Sequence, residues 1–146
     1  MNKLQDQVQI RSMVPEDESF IYSSWLKSYR NSPNAANMPN QVFYDNHKRI
    51  IQNIINTAQV SIICSSEDSD HIFGFICWEP TDSNFDIYHY LYIKYPYRKM
   101  GLANYLFDSI GGNSGGTIVI THYNNNLRRK STELGMIYNP YLIRNP

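Results

Sequence analysis

The chain lacks a net charge: 13 Lys and Arg stand against 13 Asp and Glu over 146 residues. Such a balance supplies no global field to attract nucleic acid or an anionic membrane, so any polyanion must be held locally. Cysteine is scarce as well. Cys64 and Cys77 are the two present, and each ends an apolar run, where a buried thiol behaves as a small hydrophobe. A disulfide framework is thereby excluded, and core packing in a reducing compartment is expected. No run approaches the ~20 apolar residues of a membrane span, and the opening Met1-Asn2-Lys3-Leu4-Gln5-Asp6 lacks the apolar stretch of a secretory leader. These absences together predict a cytoplasmic protein with no membrane or nucleic-acid partner. His47, His71, His89 and His122 show no metal-ligand spacing, so no metal is expected.

Length predicts one domain over residues 1–146, large enough to bury roughly 70% of its unfolded surface. Val8, Ile10 and Met13 read as a short first strand. Pro15 followed by Glu16, Asp17 and Glu18 reads as a helix start, conformationally and through the helix dipole. Phe20, Ile21, Trp25, Leu26 and Tyr29 then form one apolar stripe. The stretch Asn31 to Asn40 is a loop by composition and long enough to move. Phe43, Ile50, Ile51, Ile54 and Ile55 mark a second helix ending near Thr57. Val60 to Cys64 and Ile72 to Trp78 read as a hairpin, and Phe85 to Ile93 as a further strand, with Tyr88, Tyr90 and Tyr92 alternating along one face. Four of the seven glycines lie between Gly111 and Gly116, where they stop a helix and connect it to the strand Thr117 to Ile120. A polar helix from Asn124 to Leu134, ended by Gly135, and a last strand from Met136 to Ile143 complete the order β-α-α-β-β-β-α-β-α-β.

The stretch Arg98-Lys99-Met100-Gly101-Leu102-Ala103 carries the most chemistry. It follows the aromatic strand and precedes a run in which Leu102, Tyr105, Leu106 and Ile110 recur at helical spacing. A strand passing through a basic, glycine-containing turn into a helix aims backbone N–H groups and the positive end of the helix dipole at one spot. Gly101 allows close approach of a ligand, Ala103 keeps the first turn narrow, and Arg98 and Lys99 add mobile positive charge. A phosphorylated cofactor fits this arrangement.

Arg98, Gly101 and Ala103 match the three defining positions of the pattern Arg/Gln-x-x-Gly-x-Gly/Ala, and Leu91-Tyr92-Ile93 the end of the strand before it. The chain thus resembles the GNAT superfamily of acetyl-CoA-dependent N-acetyltransferases, and the element order matches that α/β (α+β) fold, a mixed central sheet flanked by helices, over essentially the whole length. The resemblance implies acetyl-CoA as cofactor, with the pyrophosphate on the N–H groups of Arg98, Lys99, Met100, Gly101, Leu102 and Ala103. It implies the pantetheine arm beside Leu91 and Ile93, an N–H freed by a bulge near Leu91, and a hydrogen bond from Asn124.

Two departures bear on the reaction. The family's usual glutamate falls at Ile87, which takes no proton, and its usual tyrosine at Ser131. His89 shares a face with Ile87 and has an intrinsic pKa near ~6.5, suited to accepting a proton; a histidine packed in the sheet is the other reading. Asp86 and Glu79 are weaker candidates. The acid is Ser131 orienting water, or Tyr123, Tyr138 or Tyr141. The acceptor is expected to be an amine-bearing small molecule, peptide or protein, entering between the first two helices, the 31–40 loop and the last strand, and a homodimer is a further expectation. Phe20 to Arg30 also resembles the opening helix of small GNAT-like proteins of tailed bacteriophages, which would make the acceptor a host protein. The rival reading is a GNAT-fold module that binds CoA or a partner without turnover.

Overall fold

Alternating and continuous apolar runs build one six-stranded sheet in a computed structural model, which describes residues 6–80, 85–110, 117–122 and 135–142. Its elements are β1 (Val8–Ser12), α1 (Glu18–Arg30), α2 (Asn40–Thr57), β2 (Gln59–Ser65), β3 (Ile72–Glu79), β4 (Phe85–Ile93), α3 (Leu102–Ser109), β5 (Thr117–Ile120) and β6 (Ile137–Tyr138). The strands lie in sequence order. β1 to β4 pair antiparallel, β5 joins β4 in parallel, and β6 joins β5 in parallel. The mixed α+β architecture agrees with the expected fold; the polar helix from Asn124 to Leu134 and the Gly111 to Gly116 connector lie outside the described residues.

Each face of the sheet carries its own core. On one side Ile21, Trp25 and Tyr29 of α1 and Phe43, Ile51, Ile54 and Ile55 of α2 close over Ile62, Phe75 and Tyr90. On the other, Leu102, Leu106 and Phe107 of α3 cover Ile63, Ile76, Tyr88, Leu91 and Ile93. Burying each such side chain contributes about 1.5–3 kcal/mol, so helical spacing in α1, α2 and α3 decides which face each helix takes.

Several expectations are corrected by tertiary contacts. Pro15–Asp17 forms a 3-10 turn and α1 begins at Glu18. Asp17 does not serve the dipole alone: it accepts from Arg11 Nη1 at 2.7 Å and Nη2 at 3.0 Å, and from the Val14 N–H at 2.9 Å. The loop after α1 is pinned. The Arg30 guanidinium donates to the Ala35 carbonyl at 2.6 Å, the Met38 carbonyl at 2.7 Å and Asn40 Oδ1, while Ala35 and Ser32 are buried. The last strand is shorter than its apolar run, because Pro140 has no N–H for a ladder, and a 3-10 turn spans Pro140–Leu142.

The tyrosines of β4 do not share one face. Cys77 pairs with Tyr90 and Trp78 with Tyr88, leaving His89 as an extra residue in a β-bulge. Alternation therefore breaks there: Tyr88 packs on the α3 side, whereas Tyr90 and Tyr92 pack on the α1–α2 side.

Candidate active site

The basic turn is built from β4 and α3. After Ile93 the chain makes a 3-10 turn (Tyr95–Tyr97), passes Lys99 at φ +67° and Gly101 at φ +83°, and enters α3 with Gly101 as its N-cap. Two left-handed residues two positions apart turn the chain sharply just before the helix. Among the described residues, the N–H groups of residues 99–104 have no backbone or side-chain acceptor, and the first helical bond runs from Tyr105 N–H to the Gly101 carbonyl at 3.0 Å. A Cβ placed on Gly101 would meet nothing within 4 Å, so there is open space beside this residue. Oriented donors, a helix N-terminus and open room fit an anionic ligand such as a pyrophosphate. Lys99 and Met100 are exposed, Leu102 is buried and Ala103 half-buried.

Arg98 is less mobile than its place in a loop suggests. Its Nε donates to the Ile93 carbonyl at 2.8 Å, and its guanidinium lies over the rings of Tyr92 and Tyr95 at 5.8 and 5.6 Å. It ties the turn to the end of β4.

Among the described residues, the pairing of β4 with β5 runs to Tyr88 and Ile120, followed by one bond from Thr121 N–H to the Tyr88 carbonyl at 3.1 Å. Leu91 and Ile93 lie beyond that point, paired on the other side with Ile76 and Gly74 and buried against α3. The bulge expected near Leu91 falls at His89 instead.

His89 is 1% exposed, and both its ring nitrogens are engaged. Nε2 lies 2.7 Å from Glu79 Oε2, and Nδ1 lies 2.8 Å from Thr121 Oγ1. The same hydroxyl lies 3.0 Å from His122 Nδ1, and His122 Nε2 lies 2.9 Å from His47 Nε2. His122 is enclosed by the rings of Trp25, Tyr29 and Tyr90, and burial together with the neighbouring His47 and His89 holds it well below the usual imidazole range. Burial pushes half-buried His47 down to about 4. Sequence reading singled out His89, ranked Glu79 low and gave no role to Thr121, His122 or His47. Only the bulge and the β4–β5 crossover bring these residues together.

Tyr29, stacked on His47 at 4.9 Å, marks where the walls of the expected acceptor entrance meet. Across it, Asn34 of the loop donates to Tyr138 of β6 at 3.0 Å. Tyr141 is exposed. Tyr123, Asn124 and Ser131 lie outside the described residues. Among the described residues, no group of three or more His, Cys, Asp or Glu side chains gathers as metal ligands, and no helix is long and apolar enough to cross a membrane.

No family model matches the sequence, and no curated protein matches it. Solved structures do. One described as a possible acetyltransferase from Clostridium difficile 630 aligns over 96% of this chain and 97% of its own, at 16% identity and a TM-score of 0.58. A structure from Corynebacterium glutamicum, described as histone acetyltransferase HPA2 and related acetyltransferase, aligns over 88% of this chain and 84% of its own, at 11% identity and a TM-score of 0.63. A GNAT family N-acetyltransferase from Escherichia coli, in complex with CoA, aligns over 75% of this chain and 57% of its own, at 16% identity and a TM-score of 0.52. The chain therefore has the fold of the GNAT acetyltransferases.

Proposed function

We propose that this protein is an acetyl-CoA-dependent N-acetyltransferase that passes the acetyl group directly to an amine of a small molecule, peptide or protein in the cytoplasm. One observation carries the reading: among the described residues, the N–H groups of residues 99–104 at the N-terminus of α3 have no acceptor, and a Cβ on Gly101 would meet nothing within 4 Å. A likeness in fold to a CoA-bound GNAT protein supports it.

When bound, acetyl-CoA would supply an acetyl group activated as a thioester. The N–H groups of residues 99–103 would hold its pyrophosphate, with Arg98, whose own N–H already donates to the Tyr95 carbonyl at 3.2 Å, fixing the turn, and Leu91 and Ile93 at the end of β4 would flank the pantetheine arm. Asn124 would add a hydrogen bond. His89 belongs to the proton-accepting machinery, and since both its nitrogens are engaged, it acts through its neighbours. Tyr123, or a water oriented by Ser131, is proposed to supply the proton that the departing thiolate takes up.

Release of free thiol from acetyl-CoA, followed across a panel of amines, peptides and cell lysate, tests this reading. Amine-dependent release above the blank is expected. Saturable CoA binding with no release from any acceptor would favour the binding-module reading instead.

A further inference from the structure

The contacts of His89 form part of a longer chain, Glu79–His89–Thr121–His122–His47, joined at 2.7, 2.8, 3.0 and 2.9 Å. Its inner members are nearly sealed from solvent: His89, Thr121 and His122 are each 1% exposed and Glu79 is 6% exposed. Its outer end is different. His47 is half-buried, and its Nδ1 has no partner among the described residues.

Hydrogen-bond chemistry leaves this chain few states. An ionised Glu79 only accepts, so beside it Nε2 of His89 would carry a proton. If His89 is neutral, its Nδ1 accepts from the Thr121 hydroxyl. That hydroxyl then accepts from Nδ1–H of His122, whose Nε2 accepts from Nε2–H of His47. Every bond points the same way. Adding one proton at Nδ1 of His47 reverses every bond from His47 to His89, and leaves His89 as an imidazolium beside the Glu79 carboxylate. The two states differ by one proton and by the direction of the whole chain. Thr121 is the obligatory link, since a single hydroxyl donates to one histidine while accepting from the other.

We propose that Glu79, His89, Thr121, His122 and His47 act as one proton relay, entered at Nδ1 of His47 and ending in the His89–Glu79 pair, and that this relay is the base for acetyl transfer. The second clause rests on the acetyltransferase reading above. In the step itself, an N–H bond of the acceptor's ammonium breaks and an Nδ1–H bond forms on His47. His47 passes its Nε2 proton to Nε2 of His122, His122 passes its Nδ1 proton to Thr121 Oγ1, and Thr121 passes its hydroxyl proton to Nδ1 of His89. One proton has entered, His89 holds the positive charge, and the amine nitrogen has recovered the electron pair with which it attacks. Running the chain backwards returns the proton to water at His47. Burial keeps His47 and His122 poor resting places for charge, which suits conduits between the entrance and the ionic pair. His47 alone would touch the substrate. The other members position and relay the proton.

Nitrogen-15 NMR of histidine-labelled protein reads the tautomers without any cofactor or acceptor. The relay requires coupled states: His122 protonated at Nδ1 together with His89 protonated only at Nε2, or His122 protonated at Nε2 together with His89 protonated at Nδ1. Any other combination overturns it. Thr121→Val keeps the side-chain volume and removes the hydroxyl; it is expected to uncouple the two rings and to lower amine-dependent thiol release by about 100-fold. Thr121→Ser is expected to restore both relative to Thr121→Val. If Thr121→Val fails to fold, His47→Phe serves instead, because it keeps the ring stacking with Tyr29 and Phe43; release should fall while His122 and His89 stay coupled. Thiol release at the wild-type rate in a folded Thr121→Val or His47→Phe protein overturns the relay and leaves the acetyltransferase reading standing. Coupled tautomers without thiol release from the wild-type protein overturn the relay's role as base, together with the acetyltransferase reading.

Discussion

At residue scale the turn rests on Gly101. At φ +83° a side chain costs about 1 kcal/mol of backbone strain, and a long acidic one would bring negative charge beside the N–H groups that lack an acceptor among the described residues. Gly101→Glu is therefore expected to abolish CoA binding in calorimetry while the protein still unfolds cooperatively only a few degrees lower. The conformation of this residue was legible in the sequence because it depends on local chain geometry: a strand, a glycine and a helix in succession call for a left-handed residue at the helix start. The partners of His89 were not legible for the opposite reason. Glu79 lies 10 residues away and Thr121 32 residues away, His47 and His122 are 75 apart, and a single-residue bulge decides whether their side chains meet. Periodicity carries no signal for such a bulge.

Among the elements, β3 and β4 must approach closely where the turn begins. A Cβ on Gly74 would lie 2.2 Å from the Tyr92 carbonyl and 2.7 Å from the Ile93 side chain. Gly74→Ala is thus expected to destabilise the protein by about 1–3 kcal/mol, read as a lower midpoint in urea unfolding, and to weaken CoA binding by shifting the end of β4. The junction of β1 with α1 depends on charge instead. Hydrogen bonds from Arg11, the largest influence, hold the Asp17 carboxyl below its ordinary range, with the Val14 N–H adding to the effect. A folded-state pKa below the unfolded one means that this contribution is complete above the ordinary Asp value of about 3.9 and is lost as pH falls through the folded value. Asp17→Asn should cost about 2 kcal/mol at pH 7 and should show a weaker further loss in acid than the parent, measured by urea unfolding at both pH values. Such capping roles escape sequence reading, because an acidic residue before a helix serves the dipole or a distant arginine equally well.

For the whole molecule, element order and helix faces were legible because apolar spacing sets them, and the two cores of the sheet follow from it. The strand ends were less so: Pro140 cut the last strand to Ile137–Tyr138, and contacts from Arg30 turned an expected mobile loop into a fixed wall. With no net charge to concentrate an anion over the surface, the proposed cofactor binding would have to come from local donors such as those of the turn. Calorimetric titration of the full chain with acetyl-CoA tests this most directly. Saturable binding of one cofactor per chain is expected, whereas the absence of heat at millimolar acetyl-CoA, in protein shown to be folded, would contradict the account.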